Sequence, residues 1–301
     1  MDNSTKINNG IFLSKQEYSK LTGFFYLTKP RLTLLSVITS LFGYSVALNK
    51  SFLWSDLVIL FVGAYLIGGA CGALNMNAEH EHDSLMNRTK GRPIPGGRIS
   101  PTQAVAFGYT LWLLGVLIFI LKFNLLSAII GSLTVFTYVW IYTPLKRKST
   151  FNTLFGCLPG ALPIALGWTA SNVQFNIEAL ILFGILFLWQ MPHFLSLAWV
   201  YRIDYNKAGY AMLPSVDPTG KKTSYQILFY TIALSITSFA PSLLKFNGKI
   251  YLIISIFLSM IFVILSIAFY KERTNISAQK LFRFSLLYLP LIYIALLFDM
   301  I

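Results

Sequence analysis

Nine apolar runs, each of roughly 18 residues or more, recur along the 301-residue chain, at 31–49, 52–77, 102–122, 124–142, 152–170, 177–200, 224–244, 250–269 and 281–299. A run of that length crosses a hydrocarbon core about 30 Å thick as a helix. In lipid a spanning segment has to satisfy its own backbone hydrogen bonds, so helix is the default element. The expectation is an all-α integral membrane protein with nine transmembrane helices. It forms a single transmembrane domain over residues 1–301, with residues 1–23 as a polar N-terminal segment.

Composition excludes the soluble alternative. Hydrophobic residues make up 55% and charged residues 12%, whereas a soluble domain keeps about a quarter of its residues charged. The net charge of +13 does not point to nucleic acid, because the basic residues are spread through interhelical segments. All but four of the 24 Lys and Arg residues fall in alternate segments: the N-terminus, 78–101, 143–151, 201–223 and 270–283. Lys50, Lys122, Lys245 and Lys249 are left for the other side. The positive-inside rule then predicts a cytoplasmic N-terminus and an outer C-terminus, with the chemistry on the cytoplasmic face, where the long loops are. The first 23 residues show neither a cleavable signal nor a convincing transit peptide, which favours a bacterial plasma membrane over a mitochondrial inner membrane. Cys71 and Cys157 lie in apolar runs and read as small core residues.

The densest chemistry closes the second run. Asn75, Glu79 and Asp83 are spaced i, i+4, i+8, which places an amide and two carboxylates on one helix face at the membrane surface. Such oxygens suit Mg²⁺, which takes one or two carboxylates plus substrate phosphates. Arg88, Lys90, Arg92 and Arg98 follow at once, and clustered Arg and Lys recognise phosphate oxygens. Together the two halves describe a site for Mg²⁺-diphosphate. The blander alternative is a surface loop whose charges pair with one another and with lipid headgroups.

The stretch Asp83-Ser84-Leu85-Met86-Asn87-Arg88-Thr89-Lys90-Gly91-Arg92-Pro93 resembles the first acidic motif of the UbiA-type intramembrane prenyltransferases, and is most similar to their haem-farnesylating branch, the protohaem IX farnesyltransferases. Leu27-Thr28-Lys29-Pro30-Arg31 resembles that branch's opening. Tyr142-Thr143-Pro144-Leu145-Lys146-Arg147, with Asn152, Thr153, Gly156, Gly160, Pro163, Gly167 and Trp168, looks like its middle loop and fifth helix. Trp189-Gln190-Met191-Pro192-His193-Phe194, running on to Arg202, Asp204, Tyr205, Gly209, Tyr210 and Pro214, looks like its sixth helix and second loop. The resemblance covers residues 24–215. One departure stands out: relatives acting on aromatic rings carry a second motif of two Asp four apart, whereas Tyr201-Arg202-Ile203-Asp204-Tyr205-Asn206-Lys207 keeps one carboxylate.

The resemblance implies a UbiA-type bundle that transfers a farnesyl group from farnesyl diphosphate to a vinyl group of haem B, with addition of water. Asn75, Glu79 and Asp83 would hold Mg²⁺, and with Arg88, Lys90, Arg92 and Asp204 form the catalytic set. Lys29, Arg31, Lys146, Arg147, His193, Tyr201, Arg202, Tyr205 and Lys207 would contact the substrates. His193, inside the sixth run after Pro192, has two readings: a haem contact through a propionate or the iron, or a structural residue bonded to a carbonyl freed by the proline. His80 and His82 read as solvated. Phe24, Phe25, Tyr138, Trp140, Trp168 and Trp189 read either as interfacial aromatics or as a wall stabilising an allylic cation. Contact with haem A synthase or a terminal oxidase assembly also follows from the resemblance. The rivals are a quinone-pathway polyprenyltransferase of the same fold, expected to carry the two-Asp motif, and a transporter, expected to show inverted repeats and polar groups at mid-membrane.

Overall fold

A computed structural model describes residues 19–49, 51–86 and 89–300. Arg88, Lys6, Lys15 and Lys50 lie outside the described residues. Helix α1 (Lys20–Leu27) leads into α2 (Pro30–Ala47), α3 (Trp54–Ala78), α4 (His80–Leu85) and α5 (Pro101–Lys122). Then come α6 (Leu125–Phe136), a π-helical stretch (Thr137–Tyr142), α7 (Thr143–Lys148), α8 (Asn152–Ala170) and α9 (Ile177–Val200). The short α10 (Arg202–Lys207) and α11 (Leu213–Val216) precede three long helices, α12 (Lys221–Leu243), α13 (Lys249–Glu272) and α14 (Asn275–Phe298).

Among the described residues, eight helices are long and apolar enough to cross a membrane, the unit Leu125–Lys148 counting as one. The first expected span is present as the 18-residue α2. It falls outside those eight because Pro30 and Arg31 occupy its first turn and hydroxyl residues recur along it. The chain is therefore a multi-pass membrane protein. Large apolar side chains such as Leu121, Ile236, Ile253, Ile264 and Phe298 remain more than half exposed, the surface lipid would cover.

Two cores share α8. One joins Phe42 of α2 to α8, α9, α12, α13 and α14 through Trp168, Ile185, Tyr251, Phe262 and Tyr288. The other joins α2, α3, α5, α6 and α8 through Val37, Leu60, Ile67, Phe119 and Leu166. Close backbone approach fixes α2 on α8: a Cβ at Gly167 would overlap the Ser40 carbonyl oxygen, and one at Gly43 the Ile164 carbonyl. Small residues at membrane helix contacts serve this purpose. Both cysteines are buried and unpaired.

Two boundaries differ by six residues from the sequence expectation, and one of them is the start of α14, at Asn275 rather than 281. Residues 143–148, read as loop, continue the helix begun at Leu125. Pro144 does not end it, because the π-helical stretch just upstream resets the hydrogen-bond register, with Thr143 Oγ1 donating to the Tyr138 carbonyl at 2.8 Å. Lys146 and Arg147 are thereby carried on a rigid helix end.

Candidate active site

The three motif residues sit where α3 meets α4. Glu79 breaks the helix, with φ −105° and ψ 1°, yet the Glu79 N–H donates to the Asn75 carbonyl at 3.0 Å and the Asp83 N–H to the Glu79 carbonyl at 2.8 Å. The expected i, i+4, i+8 register therefore survives the junction.

Each of the three oxygen groups meets a cation brought from elsewhere in the chain. Asn75 Oδ1 accepts from Lys29 Nζ, while its Nδ2 donates to Thr143 Oγ1 at 2.9 Å, which sets the amide's orientation. Glu79 Oε1 takes Lys146 Nζ at 2.7 Å. Asp83 Oδ2 takes Arg92 Nη1 at 2.6 Å. Glu79 is 4% and Asp83 1% exposed, so these are buried charges that need their partners. Burial pushes the Glu79 carboxyl pKa up, but the Lys146, Lys29 and Arg92 charges outweigh it and hold the group below the usual carboxylate range. Burial draws the Lys29 ammonium down to about 7; Arg92 and Lys146 add repulsion, and Glu79 and Asp83 pull the other way.

Aromatic rings line the cations. Lys146 Nζ lies 4.6 Å from the Tyr142 ring centroid and 5.9 Å from that of Tyr210, and Lys29 Nζ lies 5.9 Å from that of Tyr138. The second loop closes over this group: Met86 of the first loop packs with Ala198, Ala208, Tyr210 and Met212. The Ala211 N–H donates to the Lys146 carbonyl at 2.7 Å. Tyr210 is a site residue that the sequence reading named in the second-loop motif without giving it a role. Its hydroxyl is buried without a partner among the described residues, and burial together with the Glu79 charge raises its pKa, so it stays a protonated donor.

Other expected site residues lie beside this centre or on the surface. Arg147 Nη2 donates to the Ala78 carbonyl at 2.8 Å, capping α3. Arg202 packs over Trp199 at 4.4 Å and donates to Asn275 Oδ1 at 2.6 Å, tying α9 to the start of α14. Arg31, Lys90, Asp204 and Lys207 are exposed, as is Tyr201, while Tyr205 stands edge-on to Tyr210 at 6.1 Å. His193 forms a separate group inside the bundle, with Nδ1 2.7 Å from Ser285 Oγ of α14. Its partner is therefore a side chain of the last helix and not a carbonyl freed by Pro192. His80 Nδ1 contacts the Asn77 carbonyl at 2.6 Å, and the half-buried His82 packs on Tyr210 at 5.7 Å; neither is simply solvated.

The donor set fits a hard divalent cation. All three groups offer oxygen, and Asp83 Oδ1 is buried with no hydrogen-bond partner among the described residues, an acceptor left open. Two carboxylates and an amide leave a cation short of ligands, which substrate phosphate oxygens would complete.

The UbiA prenyltransferase family matches residues 36–289. The chain belongs to that family. It is 42% identical over 282 residues to the protoheme IX farnesyltransferase of Solibacter usitatus, covering 91% of this chain and 97% of the relative. It is 38% identical to the enzyme of the same name from Neorickettsia sennetsu, covering 95% of each. Among solved structures, one described as digeranylgeranylglyceryl phosphate synthase in membranes aligns with TM-score 0.80 at 21% identity, over 93% of this chain and 98% of that one. A UbiA homologue from Archaeoglobus fulgidus bound to DMAPP and Mg²⁺ aligns with TM-score 0.68 at 13% identity, over 91% and 99%. The fold expected from the sequence is thus the fold found, and the chain is a UbiA-family prenyltransferase.

Proposed function

We propose that this protein transfers the farnesyl group of farnesyl diphosphate to a vinyl group of haem B, with addition of water, giving haem O and diphosphate. The observation that carries the reading is the set Asn75, Glu79 and Asp83, held in register and each matched to a cation from a different segment, in a chain so similar to protoheme IX farnesyltransferases.

Asn75, Glu79 and Asp83 hold Mg²⁺ in this reading, which would supply charge neutralisation at the diphosphate oxygens. Lys146, Arg92 and Lys29 exchange their carboxylate and amide partners for those oxygens, with Arg88 and Lys90 adding charge from the same loop. As the allylic C–O bond breaks, its electron pair leaves with the diphosphate, and preorganised cations in a dry site stabilise that charge. The Tyr142 and Tyr138 rings lie against Lys146 and Lys29 and would stabilise the carbon that becomes electron-poor. The haem vinyl π electrons then form the new C–C bond. Water adds its oxygen to the resulting cation and loses a proton, leaving a hydroxyl. Tyr210, Ala208 and Met212 exclude water from the first cation.

The distribution of basic segments supports a cytoplasmic N-terminus and an outer C-terminus, and the bacterial relatives support a bacterial plasma membrane. The product is apolar, so direct hand-over to haem A synthase or a terminal oxidase assembly suits it. The test is mass spectrometry of haems extracted after expression in a cell lacking its own haem O synthase. A farnesylated, hydroxylated haem is expected. A prenylated aromatic acid in place of any modified haem would replace this reading with the quinone-pathway one.

A further inference from the structure

A buried polar atom without a partner destabilises a fold, and native proteins keep few of them outside functional sites. Among the described residues, three such atoms fall where the two loops meet: Asp83 Oδ1, His82 Nδ1 and the Tyr210 hydroxyl. The His82 and Tyr210 rings lie 5.7 Å apart, and the charged groups acting on the hydroxyl are Glu79, Lys146, Asp83 and Arg147. One charged centre thus holds a buried acceptor that lacks a donor and a buried donor that lacks an acceptor, and the two do not bond to each other. A ligand that satisfies both presents a cation to the carboxylate and an anionic oxygen to the phenol.

The backbone that carries Tyr210 is tied on both sides. Gly209 turns the chain at φ 72°, a conformation open to glycine without strain. The Tyr210 N–H then donates to the Tyr205 carbonyl at 3.0 Å, and the Ala211 N–H to the Lys146 carbonyl at 2.7 Å. Ser215 Oγ donates to the Tyr210 carbonyl at 2.9 Å, and Asn152 Nδ2 of α8 donates to the Ala211 carbonyl at 2.8 Å. The backbone N–H and C=O of both residues are therefore partnered, and the ring, 4% exposed, is buried. What remains open is the phenol oxygen.

A fixed donor in a water-excluded site, beside cations that meet the same ligand, is preorganised for the charge that grows as the allylic bond breaks. We propose that Tyr210 is a catalytic residue whose hydroxyl donates a hydrogen bond to an oxygen of the leaving diphosphate, on the side that the second loop covers. The phenol keeps its proton throughout, so nothing has to be returned to it between turnovers. The proposal rests on the charged centre being a diphosphate site. It gives the second loop a part in the chemistry that does not pass through the exposed Asp204.

The test compares the purified full-length parent with Tyr210→Phe in detergent. Inorganic diphosphate with Mg²⁺ is titrated in by calorimetry, and the melting temperature is read without ligand. Affinity for Mg²⁺-diphosphate should fall by about 10- to 100-fold, the range of a hydrogen bond to a charged group. The kcat/KM for farnesyl diphosphate should fall at least as far, because the bond strengthens as charge builds on the leaving oxygens. The melting temperature should hold or rise, since the atom removed is a buried hydroxyl with no partner to lose. A hydroxyl that serves the fold through a buried water gives the reverse pattern, a lower melting temperature with unchanged diphosphate affinity, and that result overturns the proposal. So does a fall of both together, which would make the hydroxyl a support of the loop. A parent that binds no Mg²⁺-diphosphate removes the diphosphate reading of the centre itself.

Discussion

The two loops that resemble prenyltransferase motifs carry similar residue types and treat them in opposite ways. In the first, Glu79 and Asp83 are buried and each is bonded to a cation. In the second, Asp204 and Lys207 stand exposed on α10, and the contribution that reaches the charged centre is apolar cover plus one phenol, Tyr210. The difference teaches that a carboxylate becomes a committed ligand when the fold has already removed its water. A buried acid with a basic partner is held and aimed before any substrate arrives, whereas an exposed acid has to be recruited. One loop holds charge and the other covers it.

The largest expected effect separates the two acids directly. Asp83→Asn keeps the shape of the side chain and removes the charge from the buried group with an open oxygen. Turnover of farnesyl diphosphate should fall by at least about 100-fold, the scale of one lost electrostatic contact in a closed site. Thermal stability should hold, because Arg92, 23% exposed, can turn to water. Near-normal turnover at limiting Mg²⁺ would show that Asp83 is no ligand. Arg92→Lys comes next: it preserves charge but loses the planar fork. The KM for farnesyl diphosphate should rise about 20-fold, roughly 2 kcal/mol, with ferric-haem affinity unmoved.

Asp204→Asn is the change most able to break the comparison. An exposed carboxylate recruited only by the bound diphosphate should cost about 10-fold in kcat/KM at most, well short of Asp83→Asn. A loss as deep as that of Asp83→Asn, in steady-state kinetics at saturating Mg²⁺, would mean that α10 closes inward during turnover and that both loops hold the cation.

The limits of sequence reading follow the same division. The nine apolar runs marked the long helices to within about six residues at every end, because spanning length is set by the bilayer and not by tertiary detail. The acidic register was legible because four-residue spacing is a local property, and it survived even the break at Glu79. The counter-ions were not legible as pairs: Lys29 with Asn75 and Lys146 with Glu79 join residues 46 and 67 positions apart, and no local pattern selects among the many basic residues. Arg147 and Arg202 looked equally suited to phosphate, yet one caps α3 and the other ties α9 to α14. Ser285 lay in a stretch that read only as an apolar helix, and residues 143–148 read as loop where the helix begun at Leu125 continues. Thr143, which orients Asn75, was visible as a motif residue but not as a partner.

Lys29 gives the smallest effect and the finest test of what burial does. Its ammonium, with a pKa drawn down to about 7, is charged below that pH and neutral above it, whereas an unfolded lysine stays charged to about 10.5. Between pH 7 and 10.5 the unfolded chain binds the extra proton, so raising the pH through this window should stabilise the substrate-free protein. Diphosphate binding has the opposite requirement, since it gains from the charged form. The kcat/KM for farnesyl diphosphate should therefore decline by about 5-fold as the pH rises through 7, the size of roughly 1 kcal/mol from one charge-assisted hydrogen bond. Melting temperature in detergent should climb over the same range. Lys29→Arg, which cannot lose its proton, should flatten both curves. Curves that move in the same direction, or a Lys29→Arg profile identical to the parent, would place the titration elsewhere and remove Lys29 from the set of cations that meet the diphosphate.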